Sequence, residues 1–326
     1  TVVSMADGSQ NILTGGTGTV STMNSGEQNI TGGSGIVSTM NDGFQYISGG
    51  EGTISTLSSG YQRISSGGTG TIGTMYSGQQ NISSGMGSIG TLSKGGQTIN
   101  SVGATGAVGT MYSGSQEIYS GGSGSVGILS GGSQYVSSGG EGTVISMVSN
   151  GNQAIYDSGT GTVSSMNGGK QAIYSSGGMG TVISMSDGSQ TVENGGVAQV
   201  GTMSVSGRQI VNDGGTGTVS SMNGGRQIIY GGTGTVSTMS GGQQQISSGG
   251  LGSALGTLGG TQSILDGGTG WVEKVTSNQV ISSGGTGIVE TVTGGDSWTL
   301  TAGQTGIANT MSGGTQTVDS NGKGTV

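Results

Sequence analysis

The sequence predicts an all-β protein, a single-stranded parallel β-helix (β-solenoid) of about 18 rungs with about 18 residues each. Three observations predict it. The phrase at 17–33, TGTVSTMNSGEQNITGG, is followed at once by SGIVSTMNDGFQYISGG at 34–50 and EGTISTLSSGYQRISSGG at 51–68, and variants of it run to the end of the chain. A repeat of that length is too short for a helix pair and suits one turn of a β-solenoid. Each copy also holds two short segments with β-branched residues, separated by turns rich in Gly, Asn and Ser. Finally, Gly makes up 79 of 326 residues with no Pro, which fits neither collagen nor a Pro-rich linker. One uninterrupted repeat argues for a single solenoid domain over 1–326 rather than two ordinary domains.

The first segment of a rung is Gly-Thr-Val-x-Thr-Met, as at 18–23 and 234–239, with Ser in place of the second Thr at 161–166 and 217–222. Its Val or Ile forms a column (Val20, Val37, Ile54, Ile72, Ile89 and onward to Val236), and three residues later stands a Met/Leu column (Met23, Met40, Leu57, Met75 and onward to Met239). Strand faces alternate with period two, so an offset of three cannot put both columns on one face of a straight strand. A bend near the Thr before Met is expected, with the flexible thioether filling a corner of the core.

The second segment is Gln-x-Ile or Gln-x-Val. Its column is Gln28, Gln45, Gln62, Gln80, Gln97, Gln116, Gln134, Gln153, Gln171, Gln190, Gln209, Gln227 and Gln244, preceded by Gln10 and followed by Gln262, Gln279 and Gln316. The aliphatic residue two positions on shares its face, so Gln is expected inside. A lone buried amide is costly. Identical amides stacked about 4.8 Å apart can each donate to one neighbour and accept from the other. We therefore expect a structural amide ladder, broken where Trp298 takes the Gln place and Leu300 follows it.

Both turns carry Gly or Asn, which tolerate positive φ. Extra residues fall in the turns, as at 102–104 and 204–206, and are expected on the surface. The residues opening the rungs run Thr17, Ser34, Glu51, Thr69, Met86 and then Thr105, Ser123, Glu141, Thr160, Met179, a hint of a five-rung block duplication. The chain begins and stops within a strand motif and shows no polar cap, so a segment of a longer array is expected, or ends that meet another molecule.

Composition limits the chemistry. Charged residues are 7%, far below the roughly 25% of globular proteins, and the net charge is −8 with Lys and Arg scattered singly. Phosphate neutralisation needs clustered basic residues, so no nucleic-acid partner is expected. There is no Cys and no His, which removes disulfides, thiol nucleophiles, imidazole bases and the usual zinc sites. No signal peptide and no span of 18 apolar residues is present, so this segment is not expected to insert in a membrane itself.

Parallel β-helices can host polysaccharide lyases and glycosidases, but such sites need paired carboxylates or a carboxylate–Arg/Lys cluster on neighbouring rungs. The 15 acids stand singly, mostly in turns; Asp187 and Glu193 share a rung, but no basic residue or aromatic platform is legible beside them. No catalytic residue, cofactor or metal site is expected, and the protein is not expected to be an enzyme. The calcium β-roll repeat Gly-Gly-x-Gly-x-Asp-x-apolar-x lacks its Asp here, because Val or Ile stands in that column. Thr-Gly-Thr, as at 17–19, 69–71 and 160–162, resembles the Thr arrays of ice-binding solenoids. Glu51, Met86, Glu141, Met179, Val197 and Leu251 interrupt that column, so an ice-binding solenoid stays a minor alternative.

The phrase Gly-Gly-x-Gln-x-Ile-x-x-Gly-Gly, as at 241–250, resembles the passenger repeats of the self-associating autotransporter adhesins, the family of AIDA, TibA and antigen 43. The resemblance covers nearly the whole chain; the Met column and the Thr-Gly-Thr-Val segment depart from the better-known members. It implies a right-handed β-helix displayed on a Gram-negative surface, extracellular and exported through a C-terminal barrel. It also implies self-association with like passengers, biofilm formation and attachment to a host receptor. Several members carry O-linked heptose, so a glycosyltransferase is an implied partner. Outward hydroxyls at Ser21, Ser38, Ser55, Ser164, Ser220, Ser237, Thr31 and Ser48 are candidate glycosylation sites, and Tyr156 with Tyr174 on successive rungs is a candidate contact patch. The alternative is a purely structural extracellular fibre or spike shaft.

Overall fold

In the computed structural model the Gly-Thr-Val-x-Thr-Met and Gln-x-Ile segments are β-strands, paired in parallel with their counterparts one repeat away. The structure describes residues 1–257, 259–274, 279–293, 297–319 and 321–326. The repeat makes about 17 turns spaced by roughly 18 residues, one fewer than length alone suggests. Rung length varies in the turns: successive column glutamines stand 17 residues apart at Gln28/Gln45 but 19 apart at Gln97/Gln116. Contacts divide the chain into two compact units, Thr1–Ser164 and Ser165–Val326.

In the first unit, Thr17–Met23 pairs in register with Ser34–Met40, which pairs with Glu51–Leu57 in turn. The second strands do the same: Glu27–Thr31 on Phe44–Ser48, and Phe44–Ser48 on Tyr61–Ser65. The inward links are like on like, Val20 on Val37, Met23 on Met40, Gln28 on Gln45 and Ile30 on Ile47. A slip of one residue would turn each inward column to water, so register is tightly specified.

Pairing skips Ser21 and Ser38: Val20 meets Val37 and the next partners are Thr22 and Thr39. The bend is therefore at the residue after Val, one position earlier than the sequence suggested. Two successive outward residues, Ser21 and Thr22, form the corner, and Val20 and Met23 both come out fully buried. At the first turn Gly26 has φ of 95°, and a Cβ there would lie 2.6 Å from the Gly8 carbonyl oxygen. Rungs approach too closely at that turn for a side chain.

The second unit repeats the arrangement. Met179–Val192 pairs with Val197–Met203 and Arg208–Val211, and Thr216–Tyr230 pairs with Thr233–Ser247 over both segments of the rung. The lengthened turns lie outside, with Val102 81% and Val205 85% exposed. Ala104 departs from that expectation. It is buried with Ile99 and Ile118, in the place of the glycine that precedes the first strand in other rungs.

Candidate functional site

Inside the first unit, the column glutamines are buried from Gln28 through Gln153. Each donates its Nε2 proton to the Oε1 of the glutamine one rung earlier: Gln28 to Gln10 at 2.8 Å, Gln62 to Gln45 at 2.6 Å, Gln116 to Gln97 at 2.6 Å and Gln153 to Gln134 at 2.6 Å. In the second unit, Gln190 donates to Gln171 at 2.6 Å, and links of 2.7–2.8 Å continue to Gln279. The donors all point the same way along the stack.

The amide nitrogen also reaches the opposite strand. Gln62 donates to the Gly52 carbonyl at 3.3 Å, Gln97 to Gly87 at 3.3 Å and Gln227 to Gly217 at 3.2 Å. These acceptors are the middle residues of Thr-Gly-Thr, an inward column that sequence reasoning missed. A Cβ on Gly106 would lie 2.4 Å from Ile99 Cδ1 and 2.6 Å from Gln97 Oε1, so glycine makes room for the amide and the isoleucine. The signal was present: Gly stays where its neighbour changes, in Glu51-Gly52, Met86-Gly87, Glu141-Gly142 and Leu251-Gly252. The one substitution, Ala198, follows Val192, which is a methylene shorter than isoleucine, and its carbonyl still accepts from Gln209 at 3.4 Å.

The inside is thus filled, and any partner must use the outer faces. None of the eight candidate hydroxyls is buried: Ser38, Ser55, Ser220 and Thr31 are exposed, while Ser21, Ser48, Ser164 and Ser237 are half-buried. The position after Val is not a continuous hydroxyl column. Gly73, Gly90, Gly109 and Gly127 occupy it on four successive rungs, and Ile145, Ile183 and Leu255 stand there at 59%, 54% and 41% exposure.

Tyr156 and Tyr174 are each half-buried and belong to different units. Lys170 Nζ lies 5.8 Å from the Tyr174 ring centroid, a cation–π distance. A different aromatic group forms within the first unit. Phe44, the only phenylalanine, stacks on Tyr46 at 5.7 Å with 5° between planes, and on Tyr61 of the next rung at 5.9 Å and 21°. Phe44 and Tyr61 are 40% and 41% exposed. They flank the column glutamines at Gln45 and Gln62, so strand alternation alone turns them outward.

Tyr119 donates its hydroxyl to Glu117 Oε2 at 3.0 Å. Partial burial, followed by the hydrogen bond and the charge of Glu117, raises its pKa above the ordinary 10.0. Among the described residues no group of three or more acidic, Cys or His side chains could hold a metal ion.

No family model and no curated protein sequence matches the chain. Among solved structures it is similar to a crystal structure of a TibC-catalysed, hyper-glycosylated TibA fragment, at 27% identity over 98% of this chain and 100% of that one, with a TM-score of 0.46. At that TM-score the two do not superpose well enough to transfer the role of any residue.

Proposed function

We propose that this chain is passenger repeat of a bacterial autotransporter adhesin, held outside a Gram-negative cell. There it mediates cell–cell self-association, biofilm formation and host attachment, and carries O-linked heptose on outward Ser and Thr. The observation that supports this best is the contrast between inside and outside. Among the described residues, the rung interiors hold aliphatic, thioether and amide side chains, with the Trp298 indole as an exception. Its outer faces carry short hydroxyls open to a modifying enzyme, such as Ser38, Ser55 and Thr31. Such a chain resists proteolysis because its backbone polar groups are paired rung on rung, and it presents repeated, weakly charged faces on which contacts add up. The resemblance of Gly-Gly-x-Gln-x-Ile to adhesin passenger repeats supports the same role.

The test has two measurements. Intact mass of native material should exceed the sequence mass in steps of one heptose. Cells displaying the chain should clump and settle, whereas cells displaying an unrelated passenger should not. Bare mass together with unclumped cells would overturn the proposal and favour a structural shaft.

A further inference from the structure

We propose that the second unit carries a binding site for an acidic sugar, built around Arg208 and Arg226. The chain has only three arginines and four lysines. Two of the three arginines occupy the same position of adjacent rungs, paired in register on neighbouring strands. Rung spacing places their backbones about 4.8 Å apart. Like charges directly opposite each other on neighbouring strands destabilise the pair. Their neighbours in the same outward column, Ser189 before and Gln243 after, carry no charge. Among the described residues neither guanidinium has an ion-pair partner. The nearby carboxylate, Asp187, instead accepts the Gly188 N–H at 2.7 Å. An oxyanion bridging both guanidiniums would remove this repulsion and gain charge-assisted, bidentate hydrogen bonds.

The two side chains line a cavity of about 690 Å³. Clefts for small ligands run from roughly 300 to 1,000 Å³. One wall is the lengthened turn at 204–206, which brings Ser206 and the exposed Val205 to the cavity and has no counterpart in the neighbouring rungs. The remaining lining is the Asp187 carboxylate together with hydroxyl, amide and glycine backbone. Ser189 and Ser206 can donate or accept, and Gln243, whose amide nitrogen donates to Ser263 at 2.8 Å, keeps its amide oxygen as an acceptor. A pair of cations beside a hydroxyl- and amide-lined hollow fits a polyhydroxylated ring bearing one carboxylate or phosphate. Sequence reasoning saw Asp187 without a basic neighbour; the fold brings Arg208 and Arg226 to the same cavity from the two following rungs.

This site does not depend on the adhesin reading, because it follows from the arginine pair and the lengthened turn alone. Calorimetric titration of the full chain with glucuronate, glucose 6-phosphate, glucose and inorganic phosphate tests it. Glucuronate and glucose 6-phosphate should bind, more weakly as salt is raised, with at least a tenfold loss in an Arg208→Gln/Arg226→Gln variant and none in Arg63→Gln. Circular dichroism and the melting temperature would show that the double variant stays folded, and an Arg208→Lys/Arg226→Lys variant should bind with intermediate affinity. Three results would each overturn the proposal: equal binding by the glutamine variant, glucose binding as well as glucuronate, or inorganic phosphate binding as tightly as glucose 6-phosphate.

Discussion

The amide stack of the first unit and the last turns of the second are built from the same repeat, yet they differ at the glutamine position. Between Gln28 and Gln153 each amide has a donor on one side and an acceptor on the other. In the second unit Trp298 stands where the next glutamine belongs. Among the described residues, the buried Gln279 Oε1 then has no donor, Gln316 Nε2 has no acceptor, and the Trp298 indole N–H has no partner either. The backbone follows: Ser297–Leu300 pairs with Thr315–Val318 in a two-stranded sheet of its own. The indole still fits inside because Gly287 and Gly306 offer no Cβ; one placed there would lie 3.0 and 2.9 Å from the ring. Shape is therefore accommodated while hydrogen bonding is not. A one-directional chain of amides tolerates a change of volume better than the loss of a single link.

The strongest way to break this comparison is to import the defect into the intact stack. Gln97→Leu would strand Gln80 Oε1 and one Gln116 N–H, the groups that Gln97 now pairs. At about 1–3 kcal/mol per unmet buried group, the loss should be roughly 2–6 kcal/mol. Hydrogen exchange should localise it to the strands Gln79–Ile82, Gly96–Ile99 and Ser115–Ile118. Unchanged protection there would show that the amide stack contributes little.

The converse repair is smaller. Trp298→Gln supplies both the donor for Gln279 and the acceptor for Gln316, at the cost of buried aromatic surface. A net gain of about 1–3 kcal/mol in denaturant unfolding of the second unit is expected, and a loss would mean that the indole contributes more through packing than through its position in the stack.

The smallest effect concerns the outer face. Tyr119 is held neutral by partial burial and Glu117, so its contribution to stability is fully present below the ordinary tyrosine value of 10.0 and fades as pH rises through its own raised pKa. Ultraviolet titration should show one of the nine tyrosines ionising late, and Tyr119→Phe should remove that late step. A titration curve identical to wild type would break the assignment to Tyr119.

Much of this was legible in the sequence. Val20, Met23, Gln28 and Ile30 recur with a fixed offset inside each repeat, and a parallel solenoid is the arrangement that stacks each on its own kind. The bend was legible only to within a residue, because an offset of three requires a corner without saying which peptide turns. The inward role of Gly18 and its counterparts went unseen, since Thr-Gly-Thr draws attention to its hydroxyls. The pairing of Phe44 with Tyr61 and of Arg208 with Arg226 depends on which rungs are neighbours and how their turns are counted.

The sequence by itself determined the period, the strand and turn segments and the identity of the aliphatic, thioether and amide inward columns, because those follow from local spacing and from what each side chain loses in water. Only the tertiary structure decided the direction of the amide chain, the glycine slot across from it, and which outward residues of distant repeats share a surface. Those depend on the third dimension of the coil, where residues 17 to 19 apart become neighbours and a single extra turn residue re-aims a wall.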